Sequence, residues 1–291
     1  MNKIGFIGTG VMGKPMAMNI VKKGYQLIVY ARNREKVEDL IEQGAVFAES
    51  PKLLAEQCKT IVLSLPFDPD ICEVITGDKG LLKTAAEGSL IIDTSTATPA
   101  NAVAMAEASG VKGVDYIDAP VSGGVKGAID GSLTFIVGGS EQAVMKADPV
   151  LGAMGKSVYR VGDVGTGMTL KALNQIISAL NTLTICETVV LGEKLGVSAE
   201  RFYEVLSHCA ANSYHLQSKL PDFIIPKSFD TGHRIEMMIK DLDIALDIAN
   251  QNNVDMKFSR TGTDLYREGA ENGYAGLDIS SMSVYLSEKS K

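Results

Sequence analysis

Short apolar runs separated by polar, glycine-bearing segments recur through the first 160 residues and then stop. Residues 4–7, 26–30, 46–47, 60–65, 89–93, 114–118, 133–137 and 158–160 are rich in Ile, Val, Leu, Phe and Tyr and are bounded by Gly, Pro or Ser, the mark of strands. Helical periodicity falls between them, from about residue 13 to 23, over 36–43 and 53–57, and beyond Pro99. Strands alternating with helices at this spacing predict a parallel, doubly wound α/β sheet. From Ser198 onward only helical patterns remain, at 198–207, 235–250, 259–271 and 278–287, which predicts an all-helical second part. Between the two halves, from Gly165 to about Leu195, no proline interrupts, and one helix longer than the usual 8 to 20 residues is expected. Leu173, Ile176, Ile177, Leu180 and Leu183 recur at helical spacing and predict its buried stripe. Lys171, Asn174, Gln175 and Ser178, at i, i+3, i+4 and i+7, share a second face. The expected organisation is a nucleotide-binding domain over 1–163, a connecting helix over 164–195 and a helical domain over 196–291.

Composition narrows the partners. A chain of 291 residues, 45% hydrophobic and 22% charged, has room for two well-buried cores. A net charge of −7 argues against nucleic acid or an anionic membrane surface, either of which selects a basic face. Cys58, Cys72, Cys186 and Cys209 are scattered without paired spacing, so buried free thiols in a cytosolic protein are expected. No run of 18 uncharged apolar residues stands out as a membrane span, and a strand starting at residue 4 leaves no place for a signal peptide. His208, His215 and His233 lie outside every motif, with no acid or cysteine at ligand spacing, so no metal site is expected.

The chemistry concentrates at the predicted strand ends. The first strand runs into Gly8-Thr9-Gly10-Val11-Met12-Gly13 and then a helix, which is the dinucleotide fingerprint in its required context. Its first glycine permits the tight turn, the second the approach of a pyrophosphate, and the third close packing of helix on strand. After the second strand stands Ala31-Arg32-Asn33-Arg34, with no acid before Glu35. A carboxylate there would bind the ribose 2′-hydroxyl, whereas Arg32 suits a 2′-phosphate, so NADP(H) is expected in preference to NAD(H). Ligands of such sheets bind beyond the carboxyl ends of the strands, which selects Leu65-Pro66 and Ser95-Thr96 as cofactor neighbours. Ser122, Gly123 and Gly124 follow the sixth strand and can offer a hydroxyl and backbone amides to a carboxylate or a developing oxyanion.

These motifs together resemble the β-hydroxyacid dehydrogenase family. The resemblance covers nearly the whole chain and rests on Gly5 to Ala17, Asp93-Thr94-Ser95-Thr96, Asp118-Ala119-Pro120-Val121-Ser122-Gly123-Gly124, and Gly165-Thr166-Gly167 with Lys171. Lys240-Asp241-Leu242 and Asp278-Ile279-Ser280 add weaker matches. The resemblance implies an NAD(P)-binding Rossmann domain, a long linking helix and a helical domain that completes the cleft. It implies Lys171 as catalytic acid/base, Ser122, Gly123 and Gly124 on the substrate carboxylate, Asn174 or Gln175 beside the reacting oxygen, and Thr96 and Lys240 near the cofactor. Lys171-Ala172-Leu173-Asn174-Gln175 is similar to the tartronate semialdehyde reductase branch, which points to reduction of a small 3-oxo acid to its 3-hydroxy acid. The alternatives are another hydroxy acid (3-hydroxyisobutyrate, 4-hydroxybutyrate, 2-(hydroxymethyl)glutarate or a sulfonate analogue), an imine-reducing relative, or a non-catalytic nucleotide-binding scaffold. An intact Lys171 argues against the last two. Many NADP-type members carry Asn-Arg where this chain has Ala31-Arg32. A homodimer or homotetramer acting on a small carboxylate is expected.

Overall fold

The computed structural model describes residues 3–290. The chain forms two compact units, one running through Lys171 and the other beginning at Ala172. The first unit is built on nine strands: β1 (Lys3–Ile7), β2 (Gln26–Tyr30), β3 (Val46–Phe47), β4 (Thr60–Leu63), β5 (Leu90–Asp93), β6 (Asp115–Asp118), β7 (Val121–Ser122), β8 (Leu133–Gly138) and β9 (Gly155–Gly162). They form one sheet in the order β3-β2-β1-β4-β5-β6-β8-β7, with β9 paired to β8. From β3 to β6 every pairing is parallel. The winding reverses between β1 and β4, so their carboxyl ends open the crevice where such sheets bind ligands.

The central strands are apolar on both sides because both faces are covered. Phe6, Val29, Val62, Leu90 and Ile92 pack with Met16, Ile20, Ala147 and Leu151 from the helices Gly13–Lys22 and Glu141–Met154. Ile61, Leu63 and Ile91 point the other way, into Leu54, Ile71, Ile75 and Met105. The sheet is not parallel throughout, which corrects the sequence expectation: β8 runs antiparallel to β6 and β7. Residues 123–132, between β7 and β8, are fewer than the dozen or so that a parallel crossover requires. Strand β7 itself, two residues at Val121–Ser122, and the short helices Asp68–Thr76, Gly124–Asp130 and Tyr214–Lys219 were not singled out by periodicity.

The long helix spans Thr166–Lys194, 29 residues. Met168 belongs to a core of the first unit, while Ala172, Ile176, Ala179, Leu183, Cys186 and Val189 form the spine of the second unit's core with Leu216, Met238, Leu242, Tyr266 and Met282. The predicted stripe holds at Ile176, Leu183 and partly buried Leu180, but Leu173 and Ile177 are 44% and 64% exposed, with Ala172 and Ala179 inside instead. Small residues took the inner face because neighbours come close there. Tyr266 donates its hydroxyl to the Ala179 carbonyl at 3.0 Å, and Gly262 lies against Leu180 and Leu183 with no room for a side chain. Among the described residues this helix alone is long and apolar enough to cross a membrane, contrary to the expectation from sequence. Half of its most apolar window is buried in the protein's own core, as in any central helix.

The second unit is helical, with Ala199–Leu206, Tyr214–Lys219, Ile235–Gln251, Lys257–Gly269 and Met282–Lys289 around the spine. Buried Asp278 pins its loops: it accepts from Lys219 Nζ at 2.6 Å, His233 N at 2.9 Å, and Ser280 N and Oγ at 3.0 and 2.5 Å. Asp278-Ile279-Ser280 is therefore a structural motif here. Cys58 and Cys186 are buried and Cys72 half-buried, but Cys209 is exposed, which corrects the expectation that all four are interior. Burial pushes the Cys58 thiol up to about 12.

Candidate active site

The fingerprint loop has the shape its sequence predicts. Gly8 has φ +97°, a left-handed conformation, and a Cβ on it would overlap the Ser64 carbonyl at the end of β4. A Cβ on Gly13 would overlap the carbonyl oxygen of Gly8, so helix and strand meet too closely for any side chain. A Cβ on Gly10 would meet only open space, on the side where a ligand approaches. The Gly13–Lys22 helix has no side-chain cap and no acid in its first turn, so its positive end is not neutralised from within. Thr9, Gly10, Val11, Lys14, Pro15 and Lys36 line a depression of about 380 Å³ beside it. An uncapped helix start, an open glycine and two lysines fit a pyrophosphate. Met12 directly precedes the helix, half-buried against the core.

The neighbouring strand ends gather around this loop. The amide of Leu65 donates to Ser95 Oγ at 2.9 Å, and Thr94 Oγ1 donates to the Leu63 carbonyl at 2.7 Å, so the turns after β4 and β5 are tied together. Pro66 and Thr96 sit one residue beyond that tie, both partly exposed. After β2, Arg32 projects into solvent, 79% exposed, with Nη2 at 3.2 Å from Asp70 Oδ1. No acid stands before Glu35 in this loop, yet the fold supplies one to Arg32 from the Asp68–Thr76 helix. Arg34 lies over the Phe47 ring at 5.4 Å, and Asn33 caps the turn by accepting from Glu35 N at 2.9 Å.

Strand β6 leads into the predicted carboxylate cradle. Ser122 sits opposite Thr134 on β8, and Gly123 and Gly124 follow with φ of 129° and 64°. Such a path is closed to most side chains, so the backbone after Ser122 stays uncovered at Gly124, where a Cβ would meet only open space. Asp118, at the end of β6, is fully buried and accepts from Gly165 N and Met168 N, both at 2.8 Å. Burial, partly offset by these two amides, raises its carboxyl to about 6. Lys171 stands one turn beyond Met168 and is buried, at 7% exposure. Asp93, behind the same strand ends, accepts from Tyr116 Oη at 2.8 Å and from Ser95 N at 3.0 Å, and burial pushes its carboxyl up as well.

In the second unit a chain of side chains begins at Asn174. Asn174 Nδ2 donates to Gln175 Oε1 at 3.1 Å, and Gln175 Nε2 donates to buried Asp241 Oδ2 at 2.6 Å. Lys240 Nζ is 3.1 Å from Asp241 Oδ1, and His233 Nε2 is 3.5 Å from Oδ2. Asp241 thus fixes which way the Gln175 amide points, and Gln175 does the same for Asn174. His215 Nε2 lies 2.9 Å from Ser178 Oγ on the same helix face. Sequence reasoning passed over Asp241 and both histidines. Asp241 had one available signal, its place beside Lys240 in a matched motif, and the histidines had none.

Known proteins match over nearly the whole chain. The family model described as the NAD binding domain of 6-phosphogluconate dehydrogenase covers residues 3–162. That described as NAD-binding of NADP-dependent 3-hydroxyisobutyrate dehydrogenase covers 165–286. The chain is 36% identical to 2-(hydroxymethyl)glutarate dehydrogenase of Eubacterium barkeri over 96% of its own length and 93% of that protein's. It is 34% identical to 2-hydroxy-3-oxopropionate reductase of Escherichia coli, over 96% and 95%. Its fold superposes on Mycobacterium tuberculosis 3-hydroxyisobutyrate dehydrogenase, solved with L-serine, with a TM-score of 0.88 at 29% identity, covering 98% and 99% of the two chains. With both halves matched and relatives aligned end to end, this chain belongs to the β-hydroxyacid dehydrogenase family and is an NAD(P)-dependent hydroxyacid dehydrogenase.

Proposed function

We propose that the protein is an NADP-preferring reductase of a small 3-oxo acid of the tartronate semialdehyde type, forming the 3-hydroxy acid. The observation that carries this reading is Lys171, buried at 7% exposure near the start of a helix whose first amides are held by Asp118. Gly8, Thr9, Gly10, Val11, Met12 and Gly13 hold the pyrophosphate; the strand-end rule adds Leu65 and Pro66, and the family resemblance Thr96 and Lys240, as further cofactor contacts. When bound, the nicotinamide supplies the hydride. Ser122, Gly123 and Gly124 bind the substrate carboxylate through a hydroxyl and backbone amides. Lys171 stabilises the negative charge that grows on the carbonyl oxygen, delivers a proton to it and is reprotonated from solvent. Asn174, oriented through Gln175, donates to the same oxygen or to the neighbouring hydroxyl. Arg32 reads the 2′-phosphate of NADP.

A second reading, oxidation of 2-(hydroxymethyl)glutarate or another branched hydroxy acid, draws on the relative that is 36% identical. Rates with both cofactors over a panel of semialdehydes and hydroxy acids separate the two. The shared chemistry is tested by Lys171→Ala, which should lower kcat by about 10² to 10⁴ while cofactor affinity holds. Retention of a tenth of kcat removes Lys171 from the mechanism. Lys171→Arg should not restore oxidation, because a guanidinium cannot take up the proton. Exposed Leu173, Ile177 and Leu191 on one helix face support a homodimer or homotetramer, which sedimentation velocity reads directly.

A further inference from the structure

Asp118 is an expensive way to begin a helix. Surface Ser, Thr or Asn caps satisfy the first amides of helices elsewhere in this chain, as Ser140, Ser198 and Ser213 do. Here a fully buried carboxylate spans two amides of the Thr166–Lys194 helix start, at 2.8 Å each, against a desolvation cost. The surroundings are cut to that grip. A Cβ on Gly167 would lie 2.7 Å from Asp118 Oδ2 and 2.9 Å from the Gly138 amide nitrogen. A Cβ on Gly138 would overlap Asp118 Oδ1 and come within 2.7 Å of the Asp163 carbonyl. Both glycines are therefore required by how closely the strand end and helix start approach.

Two functional groups depend on this junction. Ser122 follows Asp118 by four residues and is fixed by its pairing with Thr134, while Lys171 follows Met168 by one helical turn. We infer that Asp118 is a positioning residue that locks the start of the Lys171 helix to the end of β6, setting the proton-donating lysine in register with the Ser122–Gly124 cradle. The inference rests on the reading of Lys171 as acid/base. The titratable groups around Asp118 are Asp93 on β5 and Tyr116 on β6, which bond to each other, and the Arg160–Asp163 pair at the end of β9. The Asp118 carboxylate accepts instead from Gly165 N and Met168 N, so its bonds run to the helix start.

The test is Asp118→Asn, which keeps the size, removes the charge and turns one acceptor towards an amide as a donor. Expected is a fall in kcat of about 10- to 100-fold, with KM and cofactor Kd within about 3-fold, the signature of a misplaced catalytic group. The ionisation in the kcat profile that vanishes in Lys171→Ala should move in Asp118→Asn. A purely structural Asp118 would lower the melting temperature yet leave kcat per folded molecule and the pH profile as they are, and that result overturns the inference. Should Asp118→Asn not fold, NMR on the unmodified protein decides. The Gly165 and Met168 amide signals and the Lys171 side-chain nitrogen should shift with a common midpoint between pH 7.5 and 5. A Lys171 signal that ignores that transition sinks the idea. If Lys171→Ala itself retains its rate, the acid/base assignment has failed rather than the grip of Asp118.

Discussion

At the scale of single residues, the adenosine end of the cofactor site shows how a long-range neighbour edits a local motif. Arg32 is the expected reader of a 2′-phosphate, but its guanidinium already pairs with Asp70 at 3.2 Å. Exposed pairs of this kind contribute about 0 to 1 kcal/mol, so a phosphate bearing two charges displaces Asp70 at small cost. Arg32→Asp should weaken NADPH binding by about 10- to 100-fold and NADH binding less. Asp70→Asn should tighten NADPH by no more than about 5-fold, because only the competing pair is lost. Fluorescence titration with both cofactors checks both variants; a tighter NADH than NADPH in the unmodified protein reverses the reading of this loop. In the cradle, Ser122→Ala removes binding common to ground and transition states, so KM should rise more than kcat falls. Steady-state kinetics with the free acid and with its uncharged amide distinguish this, since an equal response to both would rule out carboxylate binding.

At the scale of elements, the junction between β6 and the long helix has a pH signature. The ordinary Asp carboxyl titrates near 4, and burial raises Asp118 to about 6. A raised acid means the folded chain holds a proton that the unfolded chain has already released. Between about pH 6 and 4 this group therefore favours the fold increasingly as pH falls, by up to about 3 kcal/mol, and above pH 6 it is a cost. Asp93 shifts in the same direction by burial but is present in wild type and variant alike, so it cancels in their difference. Thermal melts of wild type and Asp118→Asn should diverge in favour of wild type as pH drops from 7.5 to 5; a constant gap contradicts the assignment. The helix itself was legible as an element, since proline-free periodicity extends from Gly165 to Leu195. Its inner face was legible only in part: Ile176 and Leu183 stand on it as expected, whereas Ala172 and Ala179 carry little hydrophobic signal and are buried only by what packs on them.

At the scale of the whole molecule, the first unit holds a core on each face of its sheet, whereas the second is built on one core around the long helix. In the second, Lys219 and Asp278 form a buried ion pair at 2.6 Å. Removing one partner of such a pair strands the other and costs about 3 to 5 kcal/mol. Lys219→Met should lower the melting transition of the second unit while NADP(H) still protects the first, as calorimetry with and without cofactor would resolve; a single transition lowered equally under both conditions contradicts this. The sequence by itself determined the alternating α/β half, the helical half, the fingerprint loop and the family, because strand alternation, glycine spacing and short motifs are local and survive without neighbours. It also put Lys171, Asn174 and Gln175 on one helix face, since 3.6-residue periodicity needs no partner. Only the tertiary structure decided that Asp70 reaches Arg32, that Asp241 steers Gln175, and that Asp118 holds the helix start. Each of these joins residues far apart in the chain, and their pairing is fixed by how the elements pack, which no local pattern encodes.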